Sequence, residues 1–215
     1  MKKGLTELVF ILDKSGSMSG LESDTIGGFN AMLDKQKAVD GECRITTVLF
    51  DNHFELLHDR IDIQAVGPIS DQEYCVGGST ALLDAIGRTI HKIGHAQKQT
   101  AEDFRAEKVL FVIITDGEEN ASREYPATLV KQMIERQQLC HGWEFIFLGA
   151  NIDAVQTAAS FGIAPDRAQT YHADSAGVSL NFSVMSEAVA TFRATDAIPS
   201  DWKEEIDRDY KARET

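Results

Sequence analysis

The amino-acid sequence predicts an α/β fold with a mostly parallel sheet and helices on both faces, and two observations carry that prediction. Four apolar runs rich in Val, Ile and Phe are short and nearly unbroken, as strands covered on both sides are, and they lack the in–out alternation of a half-solvated sheet. Between them, apolar residues recur every three or four positions, the spacing of amphipathic helices. Strand and helix therefore alternate almost throughout, the order expected when crossover helices join parallel strands.

In chain order, residues 7–12 form the first predicted strand. A helix bearing Ile26, Phe29 and Leu33 follows, then a strand over 45–50. Residues 54–63 are more polar and come after only Asp51, Asn52 and His53, so they are predicted to return antiparallel as an edge hairpin. Leu82, Ile86, Ile90 and Ile93 mark the next helix, and 108–115 the next strand. Leu129, Val130, Met133 and Ile134 then form a third stripe, expected to face the core. A strand over 144–149, a short helix over 154–159 and a weaker strand over 169–172 follow. A long helix carries Val178, Phe182, Met185, Val189 and Phe192. Residues 198–215 are charged and show no clear apolar period, which divides the chain into one domain over 1–197 and a charged C-terminal tail or short helix over 198–215.

Composition narrows the function classes. With 34 acidic against 21 basic residues among 215, the chain carries a formal net charge of −13. A nucleic-acid backbone or an anionic membrane would be repelled, whereas a divalent cation, or a basic or metal-bridged protein partner, suits that balance. The apolar run after Met1-Lys2-Lys3 is too short for a secretory leader, and no stretch approaches a membrane span. A cytoplasmic location is therefore expected. Cys43, Cys75 and Cys140 are far apart with no C-x-x-C, so neither a disulfide framework nor a zinc knuckle is indicated, and all three are expected to be buried small apolar residues.

Open α/β sheets bind ligands beyond the carboxyl ends of their strands. The first predicted strand ends in Asp13-Lys14-Ser15-Gly16-Ser17, and an extended chain would set Asp13, Ser15, Ser17 and Ser19 on one side. The strand over 108–115 runs into Asp116-Gly117. A Gly77-Gly78-Ser79-Thr80 turn delivers a hydroxyl at the start of a helix. Two carboxylates and at least three hydroxyls, with no soft ligand, select a hard cation. Mg2+ accepts about six oxygens with only one or two carboxylates and fits this set best, with Mn2+ and Ca2+ as alternatives. Neutral hydroxyls leave much of the ion's charge uncancelled, so an Asp or Glu side chain of another protein has reason to complete the shell.

These residues resemble a known pattern. Asp13-x-Ser15-x-Ser17, then Thr80, then Asp116 in a TDG turn are similar to the metal-ion-dependent adhesion site of the von Willebrand factor type A family, with every signature position filled. The resemblance spans roughly residues 7–192 and implies a doubly wound, Rossmann-like sheet of about six strands, one of them an antiparallel edge, with the ion above it. It implies that Ser15 and Ser17 bind the metal directly, that Thr80 and Asp116 exchange between direct and water-mediated contact as the site opens, and that Asp13 acts chiefly through water. Moving Asp116 outward would strengthen the attraction for an incoming carboxylate. The chain most resembles short intracellular bacterial members, which often work beside ATPases.

Each feature also has a plainer role. Asp13, Ser15 and Ser17 alone also describe a strand end, a turn and a helix cap, and Ser19 fits only that description. Glu118 and Glu119 read as a solvated turn. His91 and His95 lie four apart, but HKIGH lacks the Glu of H-E-x-x-H and has no third ligand, so an exposed helix face is expected. A Mg2+-dependent phosphatase would also place Asp13 after the first strand, yet it needs a second acid where Ser15 stands. Gly16-Ser17-Met18-Ser19-Gly20 puts Met18 where a hydrolase elbow needs Ser, and no P-loop or G-x-G-x-x-G follows a strand. A metal-dependent protein-interaction module is therefore expected and catalysis is not, the alternatives being that phosphatase and a scaffold that never uses the ion.

Overall fold

A computed structural model of the chain describes residues 1–213. The strands are β1 (Lys2–Asp13), β2 (Cys43–Phe50), β3 (Phe54–Asp62), β4 (Ala106–Thr115), β5 (Glu144–Ala150) and β6 (Ala168–Tyr171). The α-helices are α1 (Glu22–Lys37), α2 (Leu82–Gln99), α3 (Ala127–His141), α4 (Ala154–Ser160), α5 (Ser175–Thr195) and α6 (Glu204–Arg213). They build a single six-stranded sheet in the order β3-β2-β1-β4-β5-β6. Every pairing is parallel except β2 with β3, as the polar 54–63 segment predicted.

The strand alternation sorts the core into two layers. Leu8, Phe10, Leu12, Leu110, Val112 and Ile114 point to one face, where α1, α5 and α6 cover them. Val9, Ile11, Phe111, Ile113, Phe145 and Phe147 point to the other, under α2, α3 and α4. Each continuous apolar run is thus explained by a helix layer on either side. From β1 the chain winds to β2 and β3, then crosses to β4 and winds the opposite way, so the strand order reverses between β1 and β4. Their carboxyl ends, Asp13 and Thr115, border the crevice that this reversal opens.

Three expectations change in detail. First, β1 starts at Lys2, because a register shift lets Lys2 pair with Ala106 ahead of the apolar run. Glu7, the first residue of the predicted strand, is fully buried within β1 and accepts a hydrogen bond from Arg60 Nε at 2.9 Å. Second, Leu129 is exposed, and the buried stripe of α3 consists of Val130 and Ile134. Third, the charged C-terminal segment contains the ordered helix α6, with Ile198, Trp202 and Ile206 buried in the core that α5 helps to form. Trp202, Ile206 and Tyr210 are spaced four apart, a narrow apolar stripe hidden among charges. Residues 214 and 215 of that predicted tail lie outside the described residues. Among the described residues, no helix is long and apolar enough to cross a membrane.

Candidate metal centre

The first loop of the site begins where β1 ends. Asp13 is 1% exposed and uses both carboxylate oxygens internally: Oδ1 accepts from the Ser15 amide at 2.7 Å and Oδ2 from Thr115 Oγ1 at 2.6 Å. Its carbonyl accepts from Tyr74 Oη at 2.5 Å. The chain does not stay extended beyond Ser15. Residues Gly16–Met18 make a short 3-10 turn that buries Met18 and leaves Ser19 exposed, so the expected one-sided row ends early. Ser19 makes no side-chain cap for α1, whose N-cap is Leu21. The turn nevertheless keeps Ser15 Oγ and Ser17 Oγ 3.1 Å apart.

The second loop lies directly against the first. Gly77 N donates to Lys14 O at 2.8 Å, and Gly16 N donates to Gly78 O at 3.1 Å. Gly78 is required there, since its φ is +75° and a Cβ would sit 2.2 Å from Asn52 Oδ1 on the β2–β3 hairpin. These stitches carry Thr80, 3% exposed, to the start of α2.

The third loop closes the ring. Asp116 follows β4 and is 1% exposed; Ser17 Oγ donates to its Oδ1 at 2.5 Å. Its Oδ2 is buried with no hydrogen-bond partner. At Gly117, a Cβ would lie 3.2 Å from Ser17 Oγ and 3.3 Å from Thr80 Oγ1, so both hydroxyls converge on this turn. The five residues named from the sequence, Asp13, Ser15, Ser17, Thr80 and Asp116, therefore gather at the carboxyl ends of β1 and β4.

Electrostatically the centre lacks positive charge. Burial pushes the Asp13 carboxyl above its ordinary value, against hydrogen bonds from Thr115 and Ser15 that pull it down. Burial raises Asp116 further, to about 6, with the Asp13 charge adding and the Ser17 hydrogen bond opposing. Tyr171, at the end of β6, is pushed up by its own burial and by the charges of Asp116 and Asp13. A cation is what such a site lacks, and the donor set is all oxygen. The orphaned Asp116 Oδ2 and the Ser15–Ser17–Asp116 chain of hydrogen bonds fit a hard divalent ion. Among the described residues, no group of three or more His, Cys, Asp or Glu side chains is placed to hold a metal, so nothing supports a zinc site at His91 and His95.

Sequence reasoning missed the supports behind this ring. Asn120 Oδ1 accepts from Thr80 N at 3.0 Å while Asn120 N donates to Thr80 O at 3.0 Å, fixing the Thr80 backbone. Glu119 is not a solvated turn residue: its carboxylate accepts from Leu83 N at 2.8 Å, Ala121 N at 3.0 Å and Ser122 N at 2.7 Å, which caps α2. Asp84 accepts from the amides of Arg123, Glu124 and Tyr125, each at 2.9 Å, and these bonds hold its carboxyl below the ordinary value despite the opposing effect of burial. Only Asp84, in the first turn of α2, carried a local signal; Glu119 and Asn120 stand in a loop and act on α2 across the fold. The cysteine expectation also needs correcting, since Cys43 is buried but Cys75 and Cys140 are exposed.

Gly117 offers a direct check on the convergence. Gly117→Ala places a methyl within tight contact of both hydroxyls, so a divalent cation held between them is expected to bind about tenfold more weakly, with little change in metal-free stability. Calorimetric titration of the two proteins measures this; equal affinities would show that the Thr80 hydroxyl does not share the ion.

No family model matches the sequence, and no curated protein is detectably similar to it. Solved structures do match. A von Willebrand factor type A protein from Catenulispora acidiphila aligns with a TM-score of 0.58 and 16% identity over 86% of this chain and 42% of that one. Proximal thread matrix protein 1 from the mussel byssus, solved with a zinc-occupied metal-ion-dependent adhesion site motif, aligns with a TM-score of 0.58 and 13% identity over 86% of this chain and 46% of that one. The manganese-loaded TRAP protein of Plasmodium vivax gives a TM-score of 0.53 and 18% identity over 69% of this chain and 58% of that one. This chain spans less than half the length of the first two of these structures. With six strands in this order, one antiparallel edge and helices on both faces, the chain has the fold of von Willebrand factor type A domains.

Proposed function

We propose that the protein is a metal-dependent protein-interaction module in which Ser15, Ser17, Thr80 and Asp116 hold one divalent cation and a partner's Asp or Glu completes its shell. The observation that carries this is Asp116 Oδ2, a carboxylate oxygen buried without a partner where three loops bring their oxygens together. Asp13 has both oxygens engaged by the protein, which suits a residue that supports the ion from behind. Zinc in one structural neighbour and manganese in another support divalent-metal use, and the all-oxygen donor set favours Mg2+. The bound ion would supply one strong electrophilic position for an anionic ligand, and these residues would orient it.

Binding is preferred to catalysis because Ser15 stands where a phosphatase needs its second acid, and the carboxylate that Ser15 meets, Asp13, is already engaged by the Ser15 amide and by Thr115. The cell-level reading is a cytoplasmic protein of bacterial type, with an ATPase as a reasonable partner class. Titration with Mg2+, Mn2+ and Ca2+ is expected to give one ion per chain. Immobilised protein is expected to capture its partner from native extract in Mg2+ and to release it in EDTA. Absence of binding to all three ions would overturn the metal site, partner capture indifferent to EDTA would favour the metal-independent scaffold, and turnover of an aryl phosphate would favour the hydrolase.

A further inference from the structure

A second site lies at the opposite pole of the sheet. The C-terminal halves of α2 and α3 splay over the start of β4 and enclose a groove of about 950 Å3, within the range of small-ligand pockets. Ile90, Val109 and the Trp143 ring, which stacks on Phe111 at 5.4 Å, close its base but are almost fully buried, so the apolar surface open to the groove is that of the partly buried Met133 and the hydrocarbon stems around it. Its walls are basic. Lys98, Arg105 and Arg136 line it against the single acid Glu107, and none of the three cations has an ion-pair partner among the described residues. The imidazoles of His91, His95 and His141 add hydrogen-bonding edges around the opening.

In a chain of net charge −13, unpaired cations gathered over an apolar floor run against the overall field. Part of this is ordinary helix chemistry, since Lys98 and His141 complement the negative ends of α2 and α3. Arg136 stands more than a turn before the end of α3, and Arg105 belongs to the loop before β4, so the helix dipoles do not account for them. The Arg105 Nε donates to Thr100 O at 2.8 Å, which fixes that guanidinium at the groove wall. We infer that this groove binds a small amphiphilic anion, an aromatic or aliphatic body against Met133 above the groove's base with a carboxylate, sulfonate or phosphate held by Arg136, Lys98 and Arg105.

Gly94 provides a clean way to block it. A Cβ there would touch Gln137 Nε2 at 3.7 Å and Trp143 at 3.9 Å, ordinary contacts, so a larger side chain can be accommodated at its root and would project into the groove. Replacing a mid-helix glycine also favours α2. The test uses anilinonaphthalene sulfonate as a fluorescent probe and decanoate as its competitor, on the full chain in EDTA so that the metal centre takes no part. Wild type is expected to bind the probe saturably at one site, with decanoate displacing it and inorganic phosphate at matched ionic strength failing to. Gly94→Phe and the double variant Lys98→Glu, Arg136→Glu, each checked for native near-ultraviolet dichroism, are expected to bind about tenfold more weakly or worse. Absence of saturable binding, equal affinity in Gly94→Phe, or equal displacement by phosphate would overturn the site.

Discussion

Replacing Asp116 by Asn is expected to make the metal-free protein more stable at neutral pH and to abolish its stabilisation by Mg2+. In the fold this carboxyl is 1% exposed, one of its oxygens is unpartnered, and its pKa is raised from 3.8 to about 6. The sign follows from linkage. At low pH the group is protonated in both folded and unfolded chains and costs the fold nothing. As pH rises from about 4 to about 6, the unfolded chain releases the proton first, and the metal-free fold loses stability. A shift of this size corresponds to at most about 3 kcal/mol, one pKa unit being about 1.4 kcal/mol, and screening by water at the mouth of the site lowers it. In a domain of this size that is roughly 2–4 °C of Tm per kcal/mol.

Asn keeps the shape without the charge, so the difference in unfolding free energy between variant and wild type should grow across pH 4 to 6 and then level off. Groups remote from the site cancel in that difference, while Asp13, whose charge is coupled to Asp116, titrates more easily in the variant and adds to its gain. Mg2+ should raise the Tm of wild type, because the ion supplies the missing countercharge and binds only the folded chain. The variant should show no such rise. A variant that is less stable than wild type in EDTA at pH 7.5, or that still gains from Mg2+, would remove the electrostatic basis of the proposed centre. The unstable carboxylate is then a cost of function, tolerated because it keeps the site ready for a cation.

How much of this was legible in the sequence depends on the range of the interaction concerned. Asp13, Ser15, Ser17, Thr80 and Asp116 could be named because each sits at a strand end or helix start, and those ends are set by local patterns of apolar residues. The antiparallel β3 was legible for a similar reason, as three residues separate it from β2. The ring of supports was not. Glu119 looks like any acid in a turn until Leu83, 36 positions earlier, turns its amide toward it, and only the folded topology brings the two loops together. Burial of Glu7 was not legible, because a buried carboxylate is costly and the Arg60 side chain that offsets it reaches across from β3. The helix α6 was obscured by its charges: Trp202, Ile206 and Tyr210 anchor it with one residue per turn, too narrow a stripe to outweigh the acids and bases around it.

Arg193 is the other residue whose loss should be severe, and nothing local in its sequence marks it. It lies near the end of α5, 6% exposed, where a basic side chain would ordinarily extend into solvent. Its guanidinium instead closes the C-terminal end of α1. Nη1 donates to Gln36 O and, at 3.3 Å, to Gln36 Oε1; Nη2 donates to Val39 O at 3.3 Å and to Gly41 O at 3.2 Å. Those carbonyls belong to the end of a helix and the turn after it, where backbone donors are few; the Gln36 carbonyl also accepts from Val39 N at 3.3 Å. Gln36 is fully buried and donates in turn to Ser186 O at 2.8 Å, so the cluster ties α1 to α5 along their length. Arg193→Met retains most of the buried hydrocarbon but strips several acceptors of their donors at once, and should cost about 3–5 kcal/mol, a large share of the roughly 5–15 kcal/mol that holds a domain together. Arg193→Lys should recover only part, because a single ammonium cannot span acceptors arranged for a planar fork. Urea unfolding followed by tryptophan fluorescence measures both, and an Arg193→Met midpoint within about 1 kcal/mol of wild type would show that water replaces the guanidinium. The rise in Tm on adding Mg2+ should survive in these variants, since Arg193 bonds the turn just before β2, at the end of the sheet away from Asp13 and Asp116.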